Sequence, residues 1–187
     1  MYSIPSLPPW NAFHPLMVHF PISFLLIAPF FLMLGIFLPR ARAKQIVLMA
    51  FVLVFVGTIS LFFAVATGEK TADQITKTPE IQSVLHEHEE LAETAEVVFV
   101  TLTLLFTMLL FGPKPLTRDF TIRGFRIALL LFLLVYAAGA LILVNTASAG
   151  SRLVHEFGVT ATNTAPAISR AGQLARPDAG NHRPSDR

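Results

Sequence analysis

Four stretches of the chain are almost wholly apolar and are long enough to cross a membrane. They run from Leu16 to Leu38, from Gln45 to Thr67, from Leu91 to Phe111 and from Ile127 to Asn145. A bilayer core of about 30 Å is crossed by roughly 20 residues of α-helix. The first, second and fourth stretches contain no Asp, Glu, Lys or Arg, and the third is free of charge beyond Glu96. This pattern predicts an all-α, polytopic membrane protein with a bundle of four transmembrane helices.

The two ends of the chain lack this pattern. Residues 1–13 contain no Lys or Arg, and the span that follows is too long for the apolar part of a signal peptide, so they are predicted to be a retained outer segment. From residue 160 to residue 187 the chain consists mainly of small and polar residues with scattered Arg and no apolar period, which predicts a disordered tail. We therefore expect one four-helix membrane domain over residues 14–159.

Charge is distributed unevenly among the connections. The connections after the first and third spans carry half of the 14 Lys and Arg residues, namely Arg40, Arg42, Lys44, Lys114, Arg118, Arg123 and Arg126. The connection from Gly68 to Glu96, predicted as a loop leading into the third span, carries eight acidic residues against Lys70 and Lys77. Because basic loops stay in the cytoplasm, the acidic connection and both termini are predicted on the outer side of a bacterial cytoplasmic membrane.

Composition excludes several classes of function. Of the 187 residues, 53% are hydrophobic and 14% are charged, with a mean hydropathy of +0.62. The chain has no cysteine, which excludes disulfides, thiolate zinc sites and covalently attached c-type haem. A net charge of +2 gives no indication of nucleic-acid binding. No hydrolase triad pattern or nucleotide-binding glycine loop is present, so a redox carrier or subunit is favoured over a stand-alone enzyme.

Five of the six histidines lie near span ends that this topology places on the outer face. They are His14, His19, His86, His88 and His155. A histidine at a membrane interface is often only a tolerated polar residue, and each one alone has that ordinary explanation. Five histidines drawn from three helices at one face instead favour a cofactor site.

The first two histidines belong to a proline-rich helix start. Pro15 suits a first helical position, where its missing N–H has no cost. His14 and His19 are separated by about 140° around a helix and point into different sectors, and His19 is the deeper of the two. Pro21 and Pro29 each remove a helical hydrogen bond and free a carbonyl within the span.

The start of the third span contains two further histidines on opposite faces. His86, Glu90 and Glu93 share one face by their spacing, and His88 points almost the opposite way. Only one of the two histidines can face the bundle, and His86 is predicted to do so. The spacing is neither that of a zinc protease nor that of a di-iron carboxylate protein.

Charged residues near the headgroup boundary are expected to find partners. Glu93 and Glu96 lie at that depth, where an unpaired carboxylate is costly, and Arg152 or a histidine is the expected partner. Residues 150–159 are predicted to form a short amphipathic extension that ends at a glycine cap, Gly158. This extension would bring His155 over the other outer histidines.

Four of these features together resemble the DUF2231 family of predicted bacterial membrane proteins. They are the opening HPLMVHFPI, the Ala66-Thr67-Gly68 end of the second span, a histidine at the start of the third span and the closing Gly150 to Val159 segment. The resemblance covers about Phe13 to Val159 and implies a four-helix membrane domain. It also implies electron transfer, since such domains are sometimes joined to or encoded near redox proteins, including Rieske-type modules. Related sequences have a histidine before the final glycine, where this chain has Phe157.

We hypothesise a b-type haem protein that transfers electrons near the outer surface. His19 and His86 are the preferred axial pair, with His14 and His155 as alternates or as ligands of a second haem. The electron partner would be a redox protein or a quinone in the bilayer. Two alternatives remain: a divalent metal held by the same histidines and nearby carboxylates, in a metal-binding or transport-related protein, and a non-catalytic scaffold subunit.

Overall fold

The computed structural model describes residues 13–112 and 122–159, and within these ranges every regular element is an α-helix. The helices are α1 (His14–Met17), α2 (His19–Phe37), α3 (Arg40–Ala72), α4 (Pro79–Phe111) and α5 (Ile122–His155). Four apolar helical segments are long enough to cross a membrane, because α1 and α2 together form the first. The predicted all-α fold with four membrane helices is confirmed. The predicted tail and residues 1–12 lie outside the described residues.

The helices form a ring of four in which neighbours along the chain are neighbours in space. Helix α2 packs against α3 and α5, and α4 packs against α3 and α5. The short α1 packs against α3. The bundle therefore consists of two helical hairpins side by side: a first hairpin of α1, α2 and α3, and a second hairpin of α4 and α5.

The main core of the bundle is a continuous apolar cluster. It includes Leu25, Val54, Phe99 and Phe106, which are fully buried. Large apolar side chains also cover the outside of the bundle, and Phe37 is 77% exposed. An apolar outer surface of this extent is suited to lipid and not to water.

Glycines let the helices of the bundle approach one another closely. A Cβ atom added to Gly57 would lie 2.7 Å from Leu25 Cδ2, and one added to Gly139 would lie 3.0 Å from Val98 Cγ1. Small residues at helix contacts are the usual means of tight packing in membranes, where no hydrophobic force draws helices together.

A proline in α2 is compensated by a tyrosine from α5. Pro29 has no N–H, so the carbonyl of Leu25, four residues earlier, lacks its usual helical donor. The hydroxyl of Tyr136 donates to this carbonyl at 2.8 Å. The prediction that Pro29 frees a carbonyl within the span is thus confirmed, and the freed group binds the two hairpins together.

The helices extend well beyond the predicted spans at the end of the bundle where α3 ends and α4 begins. Each of α3 and α4 has 33 residues, which corresponds to about 50 Å of helix at 1.5 Å per residue. The acidic connection predicted as a loop is therefore mostly helix, because α3 continues to Ala72 and α4 begins at Pro79. Proline suits this first position, and the preceding Thr78 caps the helix by accepting the N–H of Ile81 at 3.3 Å.

A second apolar cluster, which we call the outer cluster because it lies beyond the predicted spans, explains why these projecting ends stay helical. It consists of buried Ala72, Val84, Leu85 and Leu153, with Ile75, Ile81, Phe157 and Val159 packed against it. The cluster ties the end of the first hairpin to both helices of the second. Helix α5 ends just after His155, and Gly158 follows with a φ of 63°. This confirms the predicted glycine cap, because that left-handed conformation suits glycine.

Candidate functional site

Two histidines from different hairpins meet at the end of the bundle where α3 ends and α4 begins. The ring of His14, at the start of α1, and the ring of His88, in α4, have centroids 6.4 Å apart and planes inclined at 80°. Both side chains are only partly exposed. We call these two residues the histidine pair.

The ring of His14 is held by helix α3. Its Nδ1 atom lies 2.9 Å from the carbonyl oxygen of Ala64 and 3.3 Å from Thr67 Oγ1. A carbonyl oxygen can only accept a hydrogen bond, so Nδ1 carries the proton. In the neutral ring the lone pair is therefore on Nε2. The Thr67 hydroxyl has its own acceptor, the Phe63 carbonyl at 2.8 Å, and its oxygen is thus able to accept from His14.

The ring of His88 is held in the same way by helix α5. Its Nδ1 atom lies 2.8 Å from the carbonyl oxygen of Thr146. The same argument places a proton on Nδ1 and, in the neutral ring, the lone pair on Nε2. The Thr146 hydroxyl donates to the Ile142 carbonyl at 2.9 Å and takes no part in the contact.

A glycine lies against each ring of the histidine pair. Gly68 follows the acceptor Ala64 by four residues, and a Cβ atom there would lie 3.0 Å from His14 Cε1. Gly150 follows the acceptor Thr146 by four residues, and a Cβ atom there would lie 3.0 Å from His88 Cε1. A larger residue at either position would force the ring or the helix to shift.

The histidine pair lies between the two apolar clusters. Along α4, His88 follows Leu85 of the outer cluster and precedes Ala95 of the main core. Along α5, the acceptor Thr146 lies between Leu143 of the main core and Leu153 of the outer cluster. The site is therefore a polar layer between two apolar layers.

This arrangement is suited to holding a metal through nitrogen. Histidines that ligate a metal commonly donate their other ring N–H to a carbonyl or carboxylate, which fixes the tautomer and the ring orientation. Both members of the pair make this contact. Across the described parts of the chain, no group of three or more His, Asp or Glu side chains is placed to hold a metal ion, so the pair supplies two ligands and no more.

The structure separates the four histidines predicted as ligands. His14 is in the pair, whereas His19, His86 and His155 are exposed. The Nδ1 atom of His19 lies 2.6 Å from the Pro15 carbonyl of its own helix turn. His86 Nε2 lies 3.3 Å from Glu90 Oε1. None of these contacts joins His19 to His86, and their role as axial ligands stays a prediction.

Sequence reasoning did not select His88, although its helical spacing contained the signal. His88 lies four residues after Val84 and seven before Ala95, on the buried stripe of α4 that continues to Phe99. His86 lies on the acidic face with Glu90 instead. The expectation that only one of the two histidines faces the bundle agrees with the structure, and the one that does so is His88.

The charged residues predicted near the headgroup boundary are also placed. Arg152 Nη1 lies 3.1 Å from Glu87 Oε2, and Arg152 Nε lies 3.5 Å from Glu156 Oε2. Glu93 is exposed and Glu96 is partly buried. Arg152 therefore pairs with Glu87 and Glu156, and not with either of the two deeper glutamates.

Comparison with known proteins identifies a family and no individual relative. A family model described as a predicted membrane protein, DUF2231, matches residues 11–163. No curated protein matches the chain, and no solved structure matches it.

Proposed function

We propose that this chain, which belongs to the DUF2231 family of predicted membrane proteins, is a membrane-bound electron carrier that holds one b-type haem between His14 and His88. The supporting observation is the approach of two imidazole rings from different hairpins, each with Nδ1–H donated to a helix carbonyl. When bound, haem accepts and returns one electron. His14 and His88 would hold it, each in the orientation fixed by its contact with a helix carbonyl.

The number of protein ligands favours haem iron over a bare metal ion. A structural zinc ion takes four protein ligands and a catalytic one takes three. Haem iron already has the four nitrogens of the porphyrin and needs only axial ligands from the protein. The histidine pair matches the smaller number of protein ligands that haem iron needs, since no third ligating side chain joins the pair among the described residues.

The separation of the rings is also compatible with two histidines that would share one metal ion. A metal–nitrogen bond to histidine is about 2.0 Å long, so the centroids of two such rings would lie on the order of 6 Å apart. The observed separation is 6.4 Å. The glycines beside the rings leave no side chain between each ring and the helix behind it.

The remaining parts of the proposal concern orientation and partners. The basic connections favour an outer location for the histidine pair, on the side of the membrane away from the cytoplasm. At that position the haem would exchange electrons with a redox protein at the surface or with a quinone in the adjacent lipid. His19 is exposed and lies among exposed apolar residues, so its imidazole would be accessible for a hydrogen bond to a quinone carbonyl.

The test is an optical spectrum of the detergent-purified protein produced with added haem precursor. We expect a Soret band and a reduced-minus-oxidised α band that are lost in His14→Ala and in His88→Ala. His19→Ala and His86→Ala are the matched controls, because these two histidines are exposed and each lies close to a member of the pair in the sequence. A featureless wild-type spectrum would refute the proposal. Bands that survive in the first two variants and vanish in the controls would assign the haem to His19 and His86.

A further inference from the structure

Each histidine contacts one carbonyl and one glycine at closely matching distances, and His14 has a further contact with the Thr67 hydroxyl. A Cβ atom on Gly68 would lie 3.0, 3.2 and 3.6 Å from Cε1, Nδ1 and Nε2 of His14. A Cβ atom on Gly150 would lie 3.0, 3.3 and 3.7 Å from the same atoms of His88. The Nδ1 to carbonyl distances are 2.9 Å and 2.8 Å.

Each of these contacts is made inside one hairpin. His14 opens the first hairpin, and its acceptor and glycine are near the end of α3 in the same hairpin. His88 is near the start of the second hairpin, and its acceptor and glycine are near the end of α5. Of these contacts of the two histidines, the ring-to-ring contact is the one that crosses from one hairpin to the other.

We infer that the two hairpins are equivalent half-sites. Each half-site holds its histidine with the Nε2 lone pair available to a metal before any ligand is bound, and Gly68 and Gly150 are the positioning residues. This inference rests on the proposed function for the identity of the ligand. Beyond that function, it states that each ring is oriented by contacts within its own hairpin and not by the contact between the hairpins. Both hairpins begin and end at the same end of the bundle, so each places its histidine and its glycine there.

Glycine leaves room for the imidazole ring at these two positions. A Cβ contact of 3.0 Å is tighter than nine in ten such contacts in proteins, so with alanine the imidazole would shift by a few tenths of an ångström away from its carbonyl. The ring would then lose the acceptor that fixes its tautomer. Gly139 provides a matched control, because a Cβ atom there would also approach to 3.0 Å, against Val98 and away from both histidines.

The experiment is a long-range ¹H–¹⁵N NMR spectrum of the ligand-free protein labelled at histidine, which distinguishes Nδ1–H from Nε2–H tautomers. Loss of one set of resonances in His14→Ala and another in His88→Ala assigns the rings. We expect both rings to have the Nδ1–H form. Gly68→Ala should disturb the His14 resonances alone, Gly150→Ala those of His88 alone, and Gly139→Ala neither set.

Two results would overturn the half-sites without bearing on haem binding. The first is an Nε2–H tautomer, or two interchanging tautomers, at His14 or His88 in the wild-type protein, and the spectrum that shows it requires no variant to fold. An equal disturbance of both rings by Gly139→Ala would overturn the positioning role. A protein with the expected resonances that takes up no haem would refute the haem proposal and retain the half-sites. A protein that binds haem but has interchanging tautomers when ligand-free would do the reverse.

Discussion

Replacing Tyr136 with phenylalanine should destabilise the bundle through one lost hydrogen bond. The side chain is fully buried and its ring packs against Phe99 and Phe132 at centroid distances of 5.5 Å and 6.0 Å. Phenylalanine retains this ring packing. The variant therefore removes little besides the hydroxyl that donates to the carbonyl of Leu25.

The magnitude follows from the proline four residues after that carbonyl. Hydrogen bonds between membrane helices contribute about 0.6 kcal/mol on average and up to about 1.7 kcal/mol. Since Pro29 has no N–H, the Leu25 carbonyl has no helical donor to return to once the Tyr136 hydroxyl is removed. We therefore expect a loss in the upper part of that range, about 1 to 1.7 kcal/mol.

The assay is the free energy of unfolding in mixed micelles, measured by detergent titration and far-ultraviolet circular dichroism. A double-mutant cycle with Pro29→Ala tests the cause, because alanine restores an N–H that can bond to the Leu25 carbonyl. In that background Tyr136→Phe should cost about 1 kcal/mol less. Thr101→Val is a control, since it removes an exposed hydroxyl that bonds only within its own helix.

Two results would refute this reasoning. One is an unfolding free energy that Tyr136→Phe leaves unchanged in the wild-type background, which would mean that the Leu25 carbonyl has no need of the hydroxyl. The other is an equal cost of Tyr136→Phe in the wild-type and Pro29→Ala backgrounds, which would separate the tyrosine from the proline.

Thr103→Val should lower the unfolding free energy by about 0.6 kcal/mol, because it removes the buried hydrogen bond of 2.8 Å between the hydroxyls of Thr58 and Thr103. The same detergent titration measures the change, and an unchanged unfolding midpoint would contradict the prediction. Gly158→Ala should loosen the end of α5 by about 1 kcal/mol, since an L-residue is strained at a φ of 63° and no atom within 4 Å of the new Cβ offsets the strain. Faster amide hydrogen exchange at Val159 would confirm it, and unchanged exchange there would argue against strain.

The four spans were predictable because lipid imposes a simple demand on sequence. A crossing helix must be apolar on all sides, which leaves an unbroken run of about 20 residues. Outside the membrane this demand ends, and so did the accuracy of the predicted boundaries. Helix α4 begins at Pro79, twelve residues before the predicted start at Leu91. Its early turns are stable because Ile81, Val84 and Leu85 face the outer cluster.

The inward position of His88 and not of His86 has its physical cause in another helix. The spacing along α4 placed the two histidines on opposite faces, and depth alone does not distinguish the faces. His88 faces inward because Thr146 and Gly150, about 60 residues later, provide an acceptor and the room for its ring. The apolar stripe through Val84 and Ala95 was visible in the sequence and indicated the same face.

The pairing of each histidine with its own hairpin has a consequence for biogenesis. A polar group buried without a hydrogen-bond partner costs about 1 to 3 kcal/mol, and a chain is synthesised from its N-terminus onward. The first hairpin contains both His14 and its acceptor Ala64, so its imidazole has a partner before the second hairpin has been synthesised. The second hairpin contains His88 and Thr146 and is equally self-sufficient. The bundle would then assemble by lateral association of two folded hairpins. The two hairpins, produced as separate polypeptides, should therefore associate in the same membrane.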